Sequence, residues 1–115
     1  MSEIERFGYH NAIIESAVIK RKHGFLILFM SFVRDDGFHQ ALGGHILYND
    51  HKGDHGYCGR TIHKLLSVAR GNDTQDIIGN AVRIYANDRR VTRIGHILYD
   101  DWLDLNTIDK DNEEV

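Results

Sequence analysis

The chain has no proline, one cysteine and one tryptophan among its 115 residues. Without proline there is no rigid Pro-rich spacer. No low-complexity stretch or break in composition takes its place, so a single domain is expected. With Cys58 alone, no intramolecular disulfide can form, which argues against a small secreted domain held by staples. Long hydrophobic runs are missing too. The longest uncharged apolar run, residues 25–33, falls far short of the about 20 residues that a membrane-spanning helix needs. It reads as a buried strand. The opening MSEIERFGYH carries charges where a secretion signal needs an apolar core. A cytoplasmic location with no membrane attachment is the expectation.

What is present is an ordinary globular mixture, 42% hydrophobic and 27% charged. At this length it can bury one core without a cofactor, and none is expected. The net charge of −3 hides an asymmetry. From Asp100 onward seven acids face one base, Lys110, whereas residues 1–99 hold 13 bases and 10 acids. Two readings of the acidic end compete: a solvated tail, or a surface matched to a basic groove on a partner.

Patterning predicts an α+β fold, a β-β-β-α-β-β order with an antiparallel sheet of about five strands on one main helix. Residues 1–10 are expected to be a flexible N-terminus, 11–106 the domain and 107–115 a disordered acidic tail. The first three strands fall at 12–21, 25–34 and 38–48. Lys22-His23-Gly24 and Asp35-Asp36-Gly37 form the turns, and Gly43-Gly44 marks a bulge or a close backbone approach. Ile62, Leu65, Leu66 and Ala69 share one face of a helix over 60–70, with Gly71 as its left-handed cap and Asp73 capping a further turn. A hairpin over 81–86 and 89–98 turns at Asn87-Asp88. Its register places Val82, Ile84 and Val91 on one face and Arg83, Tyr85, Arg90 and Thr92 on the other. Residues 44–50 (GHILYND) recur almost unchanged as 95–101 (GHILYDD). Either these are equivalent strand ends in a pseudo-symmetric sheet, or the match is convergence on a good strand-and-turn sequence.

Three places could carry chemistry. His45, His51, His55 and Cys58 fall within one stretch with Asp50 and Asp54 between them, and His51, His55 and Cys58 have a spacing by which one loop supplies zinc ligands. His63 or His96 would have to complete such a site, and solvated loop histidines are the simpler reading. The Arg83, Tyr85 and Arg90 face could bind phosphate and stack a base; it equally fits the wet side of a half-exposed sheet. Trp102 among Asp100, Asp101 and Asp104 suits an interface anchor or a segment that closes the core. No catalytic set is recognisable, although Cys58 beside a histidine is a nucleophile on paper.

Three elements together resemble a group of small proteins encoded by bacteriophages and prophages. They are Gly43-Gly44-His45-Ile46-Leu47, then Gly79-Asn80-Ala81-Val82-Arg83-Ile84, then Ile94-Gly95-His96-Ile97-Leu98-Tyr99-Asp100-Asp101-Trp102. The likeness covers about residues 11–104 and departs in the histidine-rich loop at 49–59. It implies an origin in a mobile element and a host-cell setting, and it assigns no active site. The leading expectation is a non-enzymatic protein that binds a host protein complex, such as a defence nuclease, through Asp100, Asp101, Trp102 and Asp104. A nucleic-acid module using Arg83, Tyr85 and Arg90 is the second. A metal-dependent enzyme built on His51, His55 and Cys58 is the third. A homodimer is compatible with each.

Overall fold

A computed structural model describes residues 8–50, 54–87 and 90–105, apart from the side chain of Asn87. The chain forms β1 (Tyr9–Lys22), β2 (Phe25–Arg34), β3 (His39–Asn49), α1 (His55–Ala69), β4 (Ala81–Asn87), β5 (Arg90–Gly95) and β6 (Trp102–Asp104). All six strands join one antiparallel sheet in the order β3-β2-β1-β4-β5-β6. The expected α+β architecture holds, with β6 as an added edge strand. The expected acidic tail at 107–115 lies outside the described residues.

β1 is shared by two halves. Its first residues, Tyr9 to Ile13, pair with β4, and Ala12 to Lys22 pair with β2. It therefore starts at Tyr9, inside the segment expected to precede the domain. The register slips at Glu15, leaving one extra residue between the Ile14–Phe32 and Ser16–Ser31 pairs. Such a bulge bends the strand and increases its twist. The sheet curls until β3 lies against β5, and α1 packs against β3 on one side and β4, β5 and β6 on the other. A long bent first strand, a helix between the third and fourth strands, and β3 brought to β5 make the connectivity of the OB fold, a partly open five-stranded barrel.

Further bulges set which side chains enter that barrel. Gly43 has φ +78°, as the glycine pair suggested, and Leu42 is the extra residue opposite the Met30–Ser31 step. A second slip beside Leu47 follows. The result is that Gln40, Leu42, His45 and Leu47 all point inward. The core comprises these strands' inner residues with Leu65, Val68 and Ala69 of α1, closed at the far edge by Leu103 and Leu105.

α1 differs from expectation at both ends. It starts at His55 because the Asp54 carboxylate caps it, accepting from the Tyr57 N–H at 3.0 Å. The buried stripe is then Tyr57, Thr61, Leu65 and Val68, with Ile62 and Leu66 at its margin. At the C-terminus Arg70, not Gly71, holds the left-handed conformation, at φ 62°. Gly71 is instead placed where a Cβ would collide with Ile77. Asp73 does cap the following turn, accepting from Asp76 N–H at 2.7 Å.

The β4–β5 hairpin also departs from its expected register. Asn87 pairs with Arg90, and Ala86 with Val91, but Tyr85 pairs with Arg93. Thr92 is the extra residue and turns inward, so Arg93 takes the outer position beside Tyr85. The heptapeptide repeat is not structural symmetry. Residues 44–49 of its first copy are β-strand; in its second, only Gly95 is, and residues 96–101 form a loop.

Two measurements test this architecture. Leu65 is completely buried, so Leu65→Ala should cost about 2–5 kcal/mol in chemical denaturation. A loss below about 1 kcal/mol would place the α1 face in solvent instead. In the β2–β3 turn, the Phe38 N–H donates to the Asp36 carboxylate, and Arg34 beside it adds attraction, so the Asp36 carboxyl is held below its ordinary value. A depressed folded-state value gives stability that is present above the ordinary carboxylate range and lost as pH falls through it. Asp36→Asn should therefore flatten the acid limb of the stability profile; an unchanged acid limb would remove Asp36 from it.

Candidate functional site

Residues 96–101 connect β5 to β6 and are fixed chiefly through main-chain atoms. The His96 N–H donates to the Asp101 carbonyl at 2.9 Å, and the Asp101 N–H donates to the Tyr99 carbonyl at 2.9 Å. Inside the loop, His96 Nδ1 accepts from the N–H groups of Leu98 (3.0 Å) and Tyr99 (3.2 Å). That pins the ring proton to Nε2 in the neutral imidazole. Arg83 reaches up from β4 and donates from Nε to the His96 carbonyl (2.8 Å) and from Nη2 to the Tyr99 carbonyl (2.6 Å). A planar guanidinium can serve two acceptors at once in this way.

The side chains around the loop complete its support. Trp102 lies against Gly95, where any Cβ would sit 2.6 Å from the indole ring. The Arg83 guanidinium lies 4.8 Å from the centre of that ring, and Tyr9 meets it edge-on at 5.3 Å. The Trp102 indole N–H donates to Asp100 at 2.9 Å. Asp101 forms an ion pair with Lys64 of α1. Asp104 pairs with Arg93 at 3.1 Å, and Arg93 also donates to the Tyr9 hydroxyl at 3.0 Å and covers the Tyr85 ring. The loop is thus tied to both β4 and α1.

What this construction presents to solvent is Leu98 and Tyr99. They are 75% and 67% exposed, the two most exposed large hydrophobic residues among those described. Leu47, the equivalent of Leu98 in the first copy of the repeat, is 1% exposed.

Of the residues anticipated from sequence, Asp100, Asp101, Trp102 and Asp104 do gather here. Each acid has an intramolecular partner, so they brace the loop as well as colour its rim. Arg83 and Tyr85 share the outer face, but Arg83 is committed to loop carbonyls and an indole. Arg90 lies opposite Asn87 at the end of the β4–β5 pairing, and Asp88 of the expected Asn87-Asp88 turn lies outside the described residues. Arg93 was missed, because only the Thr92 bulge brings it to this face. Leu98 and Tyr99 were also missed; their membership of an apolar strand-like run concealed them.

The histidine-rich stretch is divided. His51 lies outside the described residues. His55 opens α1 and stacks on Tyr48 with ring centres 4.6 Å apart. His45 is buried, with Nε2 2.5 Å from the Tyr57 hydroxyl, tying β3 to the first turn of α1. Cys58 packs against the core, and burial pushes its thiol up from its ordinary value. Among the described residues no group of three or more His, Cys, Asp or Glu side chains is arranged to hold a metal ion. No helix among them is long and apolar enough to cross a membrane. No protein-family model matches the chain, and no curated protein matches its sequence.

Two predictions follow from this geometry. Gly95→Ala should expel Trp102 from its seat, shifting the emission of the only tryptophan to longer wavelength; unchanged emission would mean that the contact is dispensable. A raised thiol value leaves less thiolate at neutral pH, so Cys58 should react with iodoacetamide more slowly than an unhindered thiol at about pH 8. Labelling should accelerate in denaturant. Rapid labelling of the native chain would restore Cys58 as a nucleophile candidate.

Proposed function

We propose that the chain is a non-enzymatic binding protein that attaches to a host protein complex through loop 96–101 and so inhibits or redirects it. The observation that carries this reading is the pairing of a tightly clasped main chain with two large apolar side chains held in water. Burying Leu98 would satisfy the hydrophobic effect, as Leu47 is satisfied. Holding Leu98 and Tyr99 outward in one shape lowers the ordering cost of binding, and large anchors ringed by polar groups are how interfaces concentrate their energy. Asp100, exposed just beyond the tip, favours a partner with a basic group at the rim.

The nucleic-acid alternative is less well supported. Arg83 and Arg93, the two arginines on the aromatic face, already have carbonyl, carboxylate and ring partners. Binding phosphate would require breaking those contacts. The OB-type connectivity does not decide the matter, because one fold serves many functions.

The test compares the full chain with a Leu98→Ser/Tyr99→Ser variant. Both side chains are exposed, so stability should change by no more than about 0.5 kcal/mol. A protein retained from bacterial lysate by the parent chain is then purified, and its affinity for both forms is measured by calorimetry. The variant should bind roughly 30-fold more weakly or worse, the loss expected for a hot-spot pair. Equal affinity would remove the loop from the interface, and the assignment with it.

A further inference from the structure

Two separate sets of hydrogen bonds hold loop 96–101. One closes its base: Arg83 donates to the His96 and Tyr99 carbonyls, the His96 N–H to the Asp101 carbonyl, and the Asp101 N–H to the Tyr99 carbonyl. The other holds its tip and has a single acceptor. Nδ1 of His96 takes the N–H groups of Leu98 at 3.0 Å and Tyr99 at 3.2 Å. Among the described residues no other acceptor serves these two amides. The ring is half-buried and packs on Tyr99, so solvent protons can reach it. His45, its counterpart in the first copy of the repeat, is instead sealed in the core against Tyr57.

Imidazole accepts at Nδ1 only while that nitrogen is bare; in the imidazolium both ring nitrogens donate. Protonation therefore turns the acceptor at the tip into a third donor facing two amides. Histidine is the side chain that ordinarily makes this change between about pH 5 and pH 8. We propose that His96 is a proton-operated latch on the loop. Neutral, it holds Leu98 and Tyr99 in their outward shape; protonated, it releases them while the base stays closed. The neighbouring charges are balanced. Arg83 of β4 and Lys64 of α1 oppose a further positive charge, and Asp100, Asp101 and Asp104 of β6 favour one. Asp101 is paired with Lys64, however, Asp104 with Arg93 of β5, and Asp100 with the Trp102 indole N–H. Carboxylates, lysines and arginines ordinarily keep their charge through that range. His63, which precedes Lys64 on α1, is the group whose protonation has to be told apart from that of His96.

The latch belongs to the free chain; only its consequence, weaker partner capture in acid, rests on the role proposed for the loop. Nuclear magnetic resonance of the full chain without a partner therefore tests the latch alone, and its failure is distinct from a failure of the binding role. Between about pH 8 and pH 5 the amide protons of Leu98 and Tyr99 should move upfield, with the midpoint of the His96 ring protons. Their protection from solvent exchange, corrected for the intrinsic rate, should fall roughly fivefold, the weight of one hydrogen bond. The His96 and Asp101 amides should keep theirs. His96→Asn retains a side-chain acceptor for the same amides, as in an Asx turn, without a titrating proton. Its Leu98 and Tyr99 amides should stay protected throughout, and His63→Gln should leave the parent's curve unchanged. Tip amides that stay protected while the His96 ring titrates would overturn the proposal. So would a ring that remains neutral to the acid end, an equal loss in His96→Asn, or a curve abolished by His63→Gln.

Discussion

The rest of the structure depends on β1 having to satisfy two neighbours at once. β1 offers one edge to β2 and the other to β4, and Ala12 and Ile13 pair with both. The slip at Glu15, within the run paired with β2 and just past the last β4 pair at Ile13, bends the strand there. From that bend come the curl that carries β3 to β5 and the cleft that α1 fills. The position of β4 follows as well, with Arg83 able to reach the loop beyond β5.

Charge in this molecule is spent mostly on shape. Lys64 holds Asp101, Arg93 holds Asp104, and Arg83 holds two carbonyls and an indole face. Exposed ion pairs contribute little stability individually. Their value here is positional, since each joins a different element to the same short loop. The buried His45–Tyr57 contact does similar work inside, fixing the start of α1 on β3.

Local chemistry made much of this legible in the sequence. The β2 limits, the glycine turns at 23–24 and 35–37, the Gly43 bulge and the Asp73 cap each follow from residues adjacent in the chain. Legibility ends where a single extra residue changes a face. Nothing local distinguishes Thr92 as a bulge, yet that bulge decides that Arg93 and not Arg90 joins Tyr85. The helix start was hidden because glycines at 56 and 59 resemble loop, while the Asp54 cap is evident only once the turn closes. The heptapeptide repeat is the sharpest case. Nearly identical residues form a strand against β2 at one site and a loop at the other, so the neighbours, and not the letters, choose. The clustering of acids around Trp102 was readable from composition, whereas the exposure of Leu98 and Tyr99 required knowing which copy of the repeat lies outside the sheet.

The clasp around loop 96–101 grips carbonyl and amide groups, and every residue type supplies those. Arg83, His96 and the closing bond to Asp101 would hold the same backbone if positions 98 and 99 carried other side chains. The shape of the loop is therefore independent of the side chains at its tip. Under the binding role proposed for the loop, drift at the tip would exchange one recognised surface for another without passing through an unfolded ancestor. A lineage under pressure to follow a changing counterpart would need to alter only two codons to begin.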